Sequence, residues 1–292
     1  MKISVFPTYG SLNSKPVFDA FIKNLQNKNE NFQINKWDHD TDVAVIWSVL
    51  WQGRMRNNFK IWKEFTSMKK PVVVLEVGGI KRNTTWKMAI NGINRDADFA
   101  NEQYSKDRWK KFNIEFKPWK RSGKNIIVCG QHDSSEQWKN LPQMNTWLLE
   151  QVTQIKKVTD KKIIIRPHPR NPISIKMAGV ETQMPKRDIN TYDDTDFTKQ
   201  LDDAHAVVNH SSNPAMQAVF NGVPVFTSES SLSYEVANKD YNKLNKPETP
   251  DREEWAHKLC HTEWWIDEIE KGLPWSRIRE KLIEKYNVRN QR

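Results

Sequence analysis

The sequence predicts an α/β protein made of two Rossmann-like domains that face each other across a cleft, followed by C-terminal helices. Short apolar runs alternate with amphipathic stretches of helical period, which is typical of parallel sheets built from βα units. The alternation occurs twice, and a polar stretch from Arg108 to Lys124 separates the two cycles. Ligands of such sheets bind at the carboxyl ends of the strands, so the turns there are the candidate sites.

The first cycle predicts an N-terminal domain over residues 1–118 that binds the acceptor of the reaction. Phe18, Phe21 and Leu25 recur at helical spacing after the first apolar run. The run from Asp42 to Leu50 is almost continuously apolar, which is typical of a strand covered on both faces. We expect strands at Lys2–Phe6, Phe32–Trp37, Asp42–Leu50 and Pro71–Val77.

The second cycle predicts a ligand-binding domain over residues 122–248. Strands are expected at Asn125–Cys129, Ile163–Arg166, Ala206–Val208 and Val223–Phe226. Helices are expected at Asn145–Lys157, within Asn190–Asp203 and at Pro214–Asn221. From Thr249 onward the apolar residues have helical spacing, so residues 249–292 are expected to form helices that pack on the domains.

Composition narrows the class of protein. The net charge of +10 and the pI of about 9.4 favour polyanionic partners, although many basic proteins bind none. The 13 tryptophans fit either a core or stacking platforms for sugars and bases. Two cysteines indicate neither a disulfide framework nor a zinc cluster.

No apolar run reaches the ~20 residues of a membrane span, and no signal-peptide pattern is present, so a cytoplasmic protein is expected.

Three strand ends of the second cycle carry side chains suited to binding phosphate. A hydroxyl-rich turn between a strand and a helix offers free backbone N–H groups to an anion, although glycine and serine also simply make turns. The candidate ligand-binding residues are Gly130, Gln131, Arg166, His168, Arg170, Ser211, Ser212 and Asn213.

Three short motifs carry a family resemblance. The motifs are E-V-G at Glu76–Gly78, H-P at His168–Pro169 and S-S at Ser211–Ser212. In this order they resemble the three motifs of bacterial sialyl-, polysialyl- and Kdo-type capsule glycosyltransferases. Residues 211–226 also resemble the donor-binding β-turn-α-turn-β segment of those two-domain GT-B enzymes. The resemblance covers residues 120–230 well, whereas only Glu76–Gly78 matches in the N-terminal half.

The resemblance implies a glycosyltransferase that uses a nucleotide-sugar donor. His168 would contact the nucleotide phosphate with electrostatic support from Arg166 and Arg170, and Ser211 and Ser212 would donate hydrogen bonds to it. Alternatively, His168 shapes a turn and the two serines cap a helix. UDP-sugars are preferred as donors over CMP-sugars, and the loops at Gln131–Ser134 and Met184–Ile189 are candidates for contacting the base.

Glu76 is the candidate general base that removes the proton of an acceptor hydroxyl. The alternative is a structural ion pair with Lys81 or Arg82. Asp38, His39, Asp40 and Asp133 are reserve candidates for the base. A D-x-D pattern at Asp194–Asp196 fits a metal site, but it lies in a polar loop away from any strand end, so no obligatory metal is predicted.

The preferred acceptor is a hydroxymethylated pyrimidine in phage DNA, which the enzyme would flip out of the duplex. Cations and an aromatic residue lie on each of two predicted edge loops, Trp51–Asn58 and Gly78–Lys87, and could neutralise phosphates or stack on bases. The candidate acceptor residues are Trp51, Arg54, Arg56, Lys81 and Arg82. The alternatives are a capsule transferase acting on a glycan or lipid-linked saccharide, a non-catalytic nucleic-acid-binding protein, and an epimerase; the oligomeric state is left open.

Overall fold

The computed structural model describes residues 1–173, 175–185, 197–286 and 288. This part of the chain divides into two compact units. The first unit combines Met1–Phe112, Ser134–Gln137 and the chain from Ala256 onward. The second unit combines Asn113–Asp133 and Trp138–Trp255. The bounds predicted for the three segments stay a prediction.

The strands are short, as expected for sheets covered by helices. In chain order they are β1 (Lys2–Val5), β2 (Asn31–Ile34), β3 (Val43–Trp47), β4 (Val72–Val77), β5 (Trp86–Ile90), β6 (Asn125–Cys129), β7 (Lys162–Arg166), β8 (Val180–Thr182), β9 (Ala204–Asn209), β10 (Val225–Phe226) and β11 (Glu263–Trp264).

The α-helices fall mostly between strands. They are α1 (Lys15–Asn27), α2 (Asn58–Ser67), α3 (Arg108–Phe112), α4 (Met144–Lys156), α5 (Phe197–Asp202), α6 (Pro214–Phe220), α7 (Glu253–Leu259), α8 (Ile266–Lys271) and α9 (Leu273–Tyr286). Short 3₁₀ turns occur at Pro7–Tyr9, Gly53–Asn57, Glu136–Trp138, Tyr234–Val236 and Tyr241–Lys243. None of the helices in the described residues combines the length and the apolar composition that a membrane span needs.

The sheet of the first unit has the strand order β11-β5-β4-β3-β1-β2. Its neighbours from β4 to β2 pair in parallel, whereas β5 and β11 are antiparallel additions at one side. All of β3 is buried because helices cover both faces. Val45 packs among residues of α1 and α9 on one face, and Ile46 packs with residues of α2 on the other.

The sheet of the second unit has the strand order β10-β9-β6-β7-β8, and every pair in it is parallel. Its apolar strands pack on α4 through residues such as Val128, Ile165 and Val208, which share a core with Leu148 and Val152. The predicted α/β class with two Rossmann-like sheets and C-terminal helices is therefore confirmed.

Several elements differ from the sequence-based expectation. Trp86–Ile90 forms β5 rather than part of a loop, because it pairs with β4 through five registered residues. The expectation of helix throughout the C-terminal region is wrong at Glu263–Trp264, which form β11 because they pair with β5. The pairing of β11 with β5 joins segments far apart in the chain, and sequence period alone shows neither this pairing nor that of β4 with β5.

Tryptophan contributes mainly to the cores. Trp37 is 37% exposed, but it also contacts Phe65 through an edge-on ring contact. The described structure therefore favours a core role for most of these residues over a role as exposed stacking platforms. The buried ones are Trp47, Trp62, Trp86, Trp138, Trp147, Trp255, Trp264 and Trp275.

Arg108 joins the C-terminal segment to the rest of the first unit. Its guanidinium donates to both carboxylate oxygens of Glu268 at 2.9 and 2.8 Å, and to the main-chain oxygens of Cys260 and Glu263 at 2.8 and 2.7 Å. The same guanidinium lies 4.2 Å from the ring centroid of Trp264. A planar cation with several fixed donors suits such a junction, so α3, β11 and α8 are held together.

Candidate functional site

The second unit has a topological switch point between β6 and β9. The chain adds β7 and β8 on one side of β6, and then places β9 and β10 on the other side. Ligands of open α/β sheets bind outside the carboxyl ends of the strands at such a point. Three loops follow β6, β7 and β9 at this point, namely residues 130–133, 167–171 and 210–213. These loops contain all of the predicted donor-binding residues except Arg166, which is the last residue of β7.

Gln131 and Ser211 meet across the switch point. The side-chain oxygen of Gln131 accepts the backbone N–H of Ser211 at 3.1 Å, and the two side chains lie 3.4 Å apart. Both residues are buried, at 5% exposure each. The backbone N–H of Ser211, one of the expected phosphate donors, is therefore used inside the unit.

Ser212 remains able to donate to a ligand. Its Oγ accepts a hydrogen bond from Nδ2 of Asn209 at 3.1 Å, which leaves the hydroxyl proton available. Ser212 is half-buried at the carboxyl end of β9, two residues before α6. Asn213 precedes Pro214 as the N-terminal cap residue of that helix.

His168 has a defined tautomer. Its Nδ1 accepts the backbone N–H of Arg170 at 3.1 Å, so the proton of the neutral ring lies on Nε2. The ring is half-buried, and its centroid lies 4.9 Å from that of His132. Nε2 of His168 can therefore donate a hydrogen bond to an anion.

The loops after β6 and β7 are linked to each other. Gly130 donates its N–H to the main-chain oxygen of Arg166 at 2.8 Å. Asn171 donates from Nδ2 to the main-chain oxygen of Gln131 at 3.2 Å and to Oδ1 of Asp133 at 3.3 Å. Asp133, a reserve candidate for the base, also accepts the N–H of Met144 at 3.3 Å and thus has a structural function here.

The two arginines of this edge differ in environment. Arg166 is 5% exposed; it donates to Gln200, and its guanidinium lies 4.9 Å from the ring centroid of Phe197. These contacts give Arg166 a role in packing the sheet. Arg170 is exposed beside His132. Burial lowers the pKa of His132, the carboxylate of Asp133 opposes this shift, and the charge of Arg170 adds to it.

His210, which immediately precedes Ser211, was not among the predicted residues. Its ring packs edge-on against Trp138 and Trp147, with centroid distances of 5.1 and 6.4 Å. Burial lowers its pKa, which favours the neutral ring at pH 7. Together with His132 and His168, it places an imidazole after each of β6, β7 and β9. The signal in the sequence was a histidine at each of three strand ends.

In the first unit, Glu76 lies in a line of three charged residues across the sheet. Glu76 on β4 is registered opposite Lys87 on β5, and Lys87 is registered opposite Glu263 on β11. Glu76 is half-buried, and its Oε1 accepts the N–H of Val77 at 2.7 Å. The cation opposite Glu76 in the sheet is thus Lys87, whereas Lys81 and Arg82 lie in the loop between β4 and β5.

Lys87 is almost fully buried, at 2% exposure. Burial lowers the pKa of Lys87, the carboxylates of Glu263 and Glu76 oppose that shift, and Arg82 adds to it. A buried ammonium group is costly unless opposite charges accompany it. The two carboxylates offset part of this cost, and the ammonium group also donates to the main-chain oxygen of Ile93 at 3.4 Å.

Glu263 binds the turn that follows Glu76. Its carboxylate accepts the N–H of Gly79 at 2.6 Å, the N–H of Ile80 at 3.1 Å and the hydroxyl of Thr85 at 2.7 Å. A Cβ on Gly78 would clash with Glu263 Oε2 and with the main-chain oxygen of Thr85, so this turn requires glycine. Glu263 lies 184 residues from Gly79, and no local sequence signal links them.

Of the five predicted acceptor residues, three are exposed and two are half-buried. Trp51 is half-buried and packs against Phe59 and Trp62, with ring centroids 5.4 and 5.9 Å away. Arg54 and Arg56 are exposed on a 3₁₀ turn. In the other loop, Arg82 is exposed and Lys81 is half-buried. The expectation that the loop of residues 78–87 displays an aromatic ring is wrong, since Trp86 and Lys87 are buried in β5.

The remaining candidates divide into three cases. Asp38 contacts Lys2 and Thr41; the hydrogen bond from Lys2 is the main cause that lowers the pKa of this carboxyl. His39 and Asp40 are exposed. The D-x-D pattern at Asp194–Asp196 lies outside the described residues. Within the residues that the structure describes, His, Cys, Asp and Glu side chains form no group of three suited to a metal ion.

No protein-family model and no curated protein sequence matches the chain. Two solved structures from Thermosulfurimonas dismutans are similar to it. The KpsC β-Kdo 2,7-transferase structure matches at 14% identity with a TM-score of 0.54, covering 96% of this chain and 100% of its own. The KpsC β-Kdo 2,4-transferase structure matches at 10% identity with a TM-score of 0.51, covering 89% of this chain and 98% of its own.

At such low identity the likeness shows the fold. The chain has a GT-B-like fold with two Rossmann-like units, and the predicted resemblance to Kdo-type transferases is confirmed at that level. The roles assigned to Glu76, His168 and the other site residues stay predictions.

Proposed function

We propose that the chain is a glycosyltransferase that moves a sugar from a nucleotide-sugar donor to a hydroxyl group of a saccharide, with no obligatory metal. The observation that carries this proposal is the tautomer of His168. A half-buried imidazole whose Nε2 carries the proton lies on a loop beside the switch point of a parallel sheet. This is where an α/β unit of this kind binds a phosphate-containing ligand.

Donor binding belongs to the second unit. His168 Nε2–H and the hydroxyl of Ser212 are the side-chain donors for the nucleotide phosphate, and exposed Arg170 supplies positive charge nearby. Gln131 holds Ser211 in place across the switch point and keeps the two loops in register. Arg166 supports the sheet beneath these loops rather than binding the donor.

Acceptor activation belongs to Glu76 in the first unit. The acceptor hydroxyl attacks the anomeric carbon, and its proton passes to the carboxylate of Glu76. The bond between the anomeric carbon and the phosphate oxygen breaks, and its electron pair leaves with the nucleotide. The hydrogen bond from His168 stabilises the negative charge that develops on that phosphate.

A saccharide acceptor has better support than DNA. Both structures of matching fold are described as Kdo transferases. In addition, Trp51 packs against two aromatic rings, and Trp86 is buried, so neither presents the exposed stacking surface on which the DNA hypothesis relied. A surface-polysaccharide transferase, with Kdo as one candidate sugar, is therefore preferred over an enzyme that modifies phage DNA.

A donor panel tests the proposal. The protein is incubated with UDP-, CMP- and GDP-sugars, including the activated form of Kdo, and with saccharide acceptors, in the presence and absence of EDTA. We expect one nucleotide to raise the melting temperature, and its sugar to be transferred in both conditions. The proposal fails if no nucleotide stabilises the protein and none is released from a sugar, or if EDTA abolishes transfer.

Two further measurements separate the rivals. Duplex DNA with hydroxymethylated pyrimidines should bind weakly or not at all; binding with a steep salt dependence together with sugar transfer to DNA would reverse the choice of acceptor. Interconversion of free nucleotide sugars without any transferred product would indicate an epimerase instead.

A further inference from the structure

Glu76, Lys87 and Glu263 share one face of the first sheet. Lys87 is the partner of Glu76 across β4 and β5, and of Glu263 across β5 and β11. Opposite residues of neighbouring antiparallel strands point to the same side with their Cβ atoms ~5 Å apart. The charges therefore alternate as carboxylate, ammonium and carboxylate across three strands.

The burial of these residues increases away from Glu76. Glu76 is half-buried, Lys87 is 2% exposed, and Glu263 is fully buried. Within the part of the chain that the structure describes, only one oxygen of Glu76, its Oε1, makes a hydrogen bond. Glu263, by contrast, is engaged by two backbone N–H groups and a hydroxyl. The outer carboxylate is thus accessible, and the inner one is a structural anchor.

We infer that Lys87 and Glu263 are positioning residues for Glu76. Lys87 holds the Glu76 carboxylate at the sheet edge, and Glu263 fixes both Lys87 and the turn at residues 78–80. The part of this inference that concerns catalysis rests on the proposed role of Glu76 as the general base.

The physical reason lies in the cost of an unpaired buried charge. Replacing Lys87 by an apolar residue leaves the two carboxylates on one face without the cation between them, and like charges then repel. Glu76 would move toward solvent, away from the geometry needed to accept a proton. Donor binding, which uses residues of the second unit, would be unaffected.

The anchor at Glu263 is tested by amide hydrogen exchange, which needs no substrate. In Glu263→Gln we expect the N–H groups of Gly79 and Ile80 to exchange about tenfold faster, because charge-assisted hydrogen bonds become neutral ones. Amides of β1 serve as the internal reference. Unchanged exchange at Gly79 and Ile80 would overturn the role of Glu263.

The role of Lys87 is tested by a double-mutant cycle with Glu76→Gln, measured on the transfer reaction. We expect Lys87→Met to lower kcat about 10- to 100-fold with the donor KM unchanged, and Lys87→Arg to restore most of the loss. In the Glu76→Gln background, Lys87→Met should have no further effect, because both changes remove the same function. Met88→Leu, a volume-conserving change on the opposite face of β5, controls for strand packing.

The outcomes distinguish the inference from the proposed function. If Glu76→Gln lowers kcat and adding Lys87→Met to that variant lowers kcat further, Lys87 acts independently of Glu76 and the inference is wrong. If Glu76→Gln keeps full kcat, the proposed role of Glu76 is wrong, while the exchange experiment still decides the role of Glu263. Should Lys87→Met fail to fold, Glu263→Gln is used in its place, and a normal kcat in Glu263→Gln would overturn the inference.

Discussion

The carboxyl edges of the two sheets are built in opposite ways. In the second unit, the edge consists of loops that directly follow their own strands. Hydrogen bonds among Gln131, Asn171 and Ser211 link these loops to each other. In the first unit, the edge at Glu76 depends on a line of charges completed by Glu263 from the C-terminal segment. The bond between Gln131 and Ser211 spans 80 residues of the chain, whereas the bond between Gly79 and Glu263 spans 184.

This difference fits the chemistry proposed for each edge. Binding a phosphate requires N–H and O–H donors, which strand-end loops supply at little cost in desolvation. Accepting a proton requires a carboxylate kept in one orientation near the acceptor hydroxyl. Here a buried lysine lies opposite that carboxylate in the sheet, and burying such charges is expensive unless they are paired. The C-terminal segment therefore contributes Glu263 to the first edge in addition to packing against it.

The largest expected effect is on Glu76. Glu76→Gln keeps the size of the side chain but removes its ability to accept a proton, so kcat should fall by about 10²- to 10⁴-fold while nucleotide affinity stays the same. Steady-state transfer assays and calorimetric titration with the nucleotide measure the two quantities.

Asp133→Asn is the matched control for Glu76→Gln, since Asp133 is a carboxylate at the edge of the second sheet that accepts hydrogen bonds from Asn171 and from the N–H of Met144. If Asp133→Asn lowers kcat more than Glu76→Gln does, the two edges have been assigned the wrong roles.

The next effect is on the stability of the first unit. Burial disfavours the charged form of Glu268, but hydrogen bonds from Arg108 and Lys111 outweigh it and lower the pKa of Glu268 to about 2. Arg108→Met removes the buried partner, so the free energy of unfolding of the first unit should fall by about 3 kcal/mol. Denaturant titration followed by hydrogen exchange in each unit measures this loss.

Lys111→Met is the control, because Lys111 contacts the same carboxylate from a 45% exposed position. Its loss should cost less than about 1 kcal/mol. Equal losses in both variants would mean that the network around Arg108 does not attach the C-terminal segment.

The sequence was informative wherever a feature is local. Apolar runs such as Asn125–Cys129 and Asp42–Leu50 predicted the central strands because continuous burial selects such runs. His168 and Ser212 were found because they follow strands directly. These features explain why the second unit and its edge were predicted more fully than the first.

Features that depend on which strands pair were missed. The partners of Glu76 could not be assigned, because Lys87 lies on an unpredicted antiparallel strand and Glu263 on a two-residue strand defined only by its pairing. The burial of Trp86 follows from the same strand. Neither residue type nor period shows which strand a segment will join.

A smaller effect is expected in the pH dependence of the first unit. His261 is buried, its Nδ1 lies 3.1 Å from the Arg277 guanidinium, and Nε2 contacts Ser105. Burial and the charges of Arg277 and Arg108 lower its pKa from 6.5 to about 4, outweighing the hydrogen bond that the ring can donate to the main-chain oxygen of Ser105. Between these pH values the unfolded chain binds a proton that the folded chain does not, so stability rises with pH and is lost on acidification.

Over this range the first unit should lose about 3 kcal/mol through His261. Unfolding titrations at several pH values should show a shallower slope in His261→Gln than in the wild type. His39→Gln, at an exposed position, should leave the slope unchanged. An unchanged slope in His261→Gln would assign the acid sensitivity to other groups.

The smallest structural effect, and the sharpest test of the second edge, is expected at Gly130. A Cβ at this position would meet Pro167, His168 and Met144 at 3.5 to 3.6 Å, which is ordinary contact, so Gly130→Ala should change stability by less than about 0.5 kcal/mol. A nucleotide phosphate that approaches the backbone there would meet the added methyl group. We therefore expect weaker nucleotide binding at unchanged stability. Unaltered affinity would place the phosphate away from Gly130, toward His168 and Ser212.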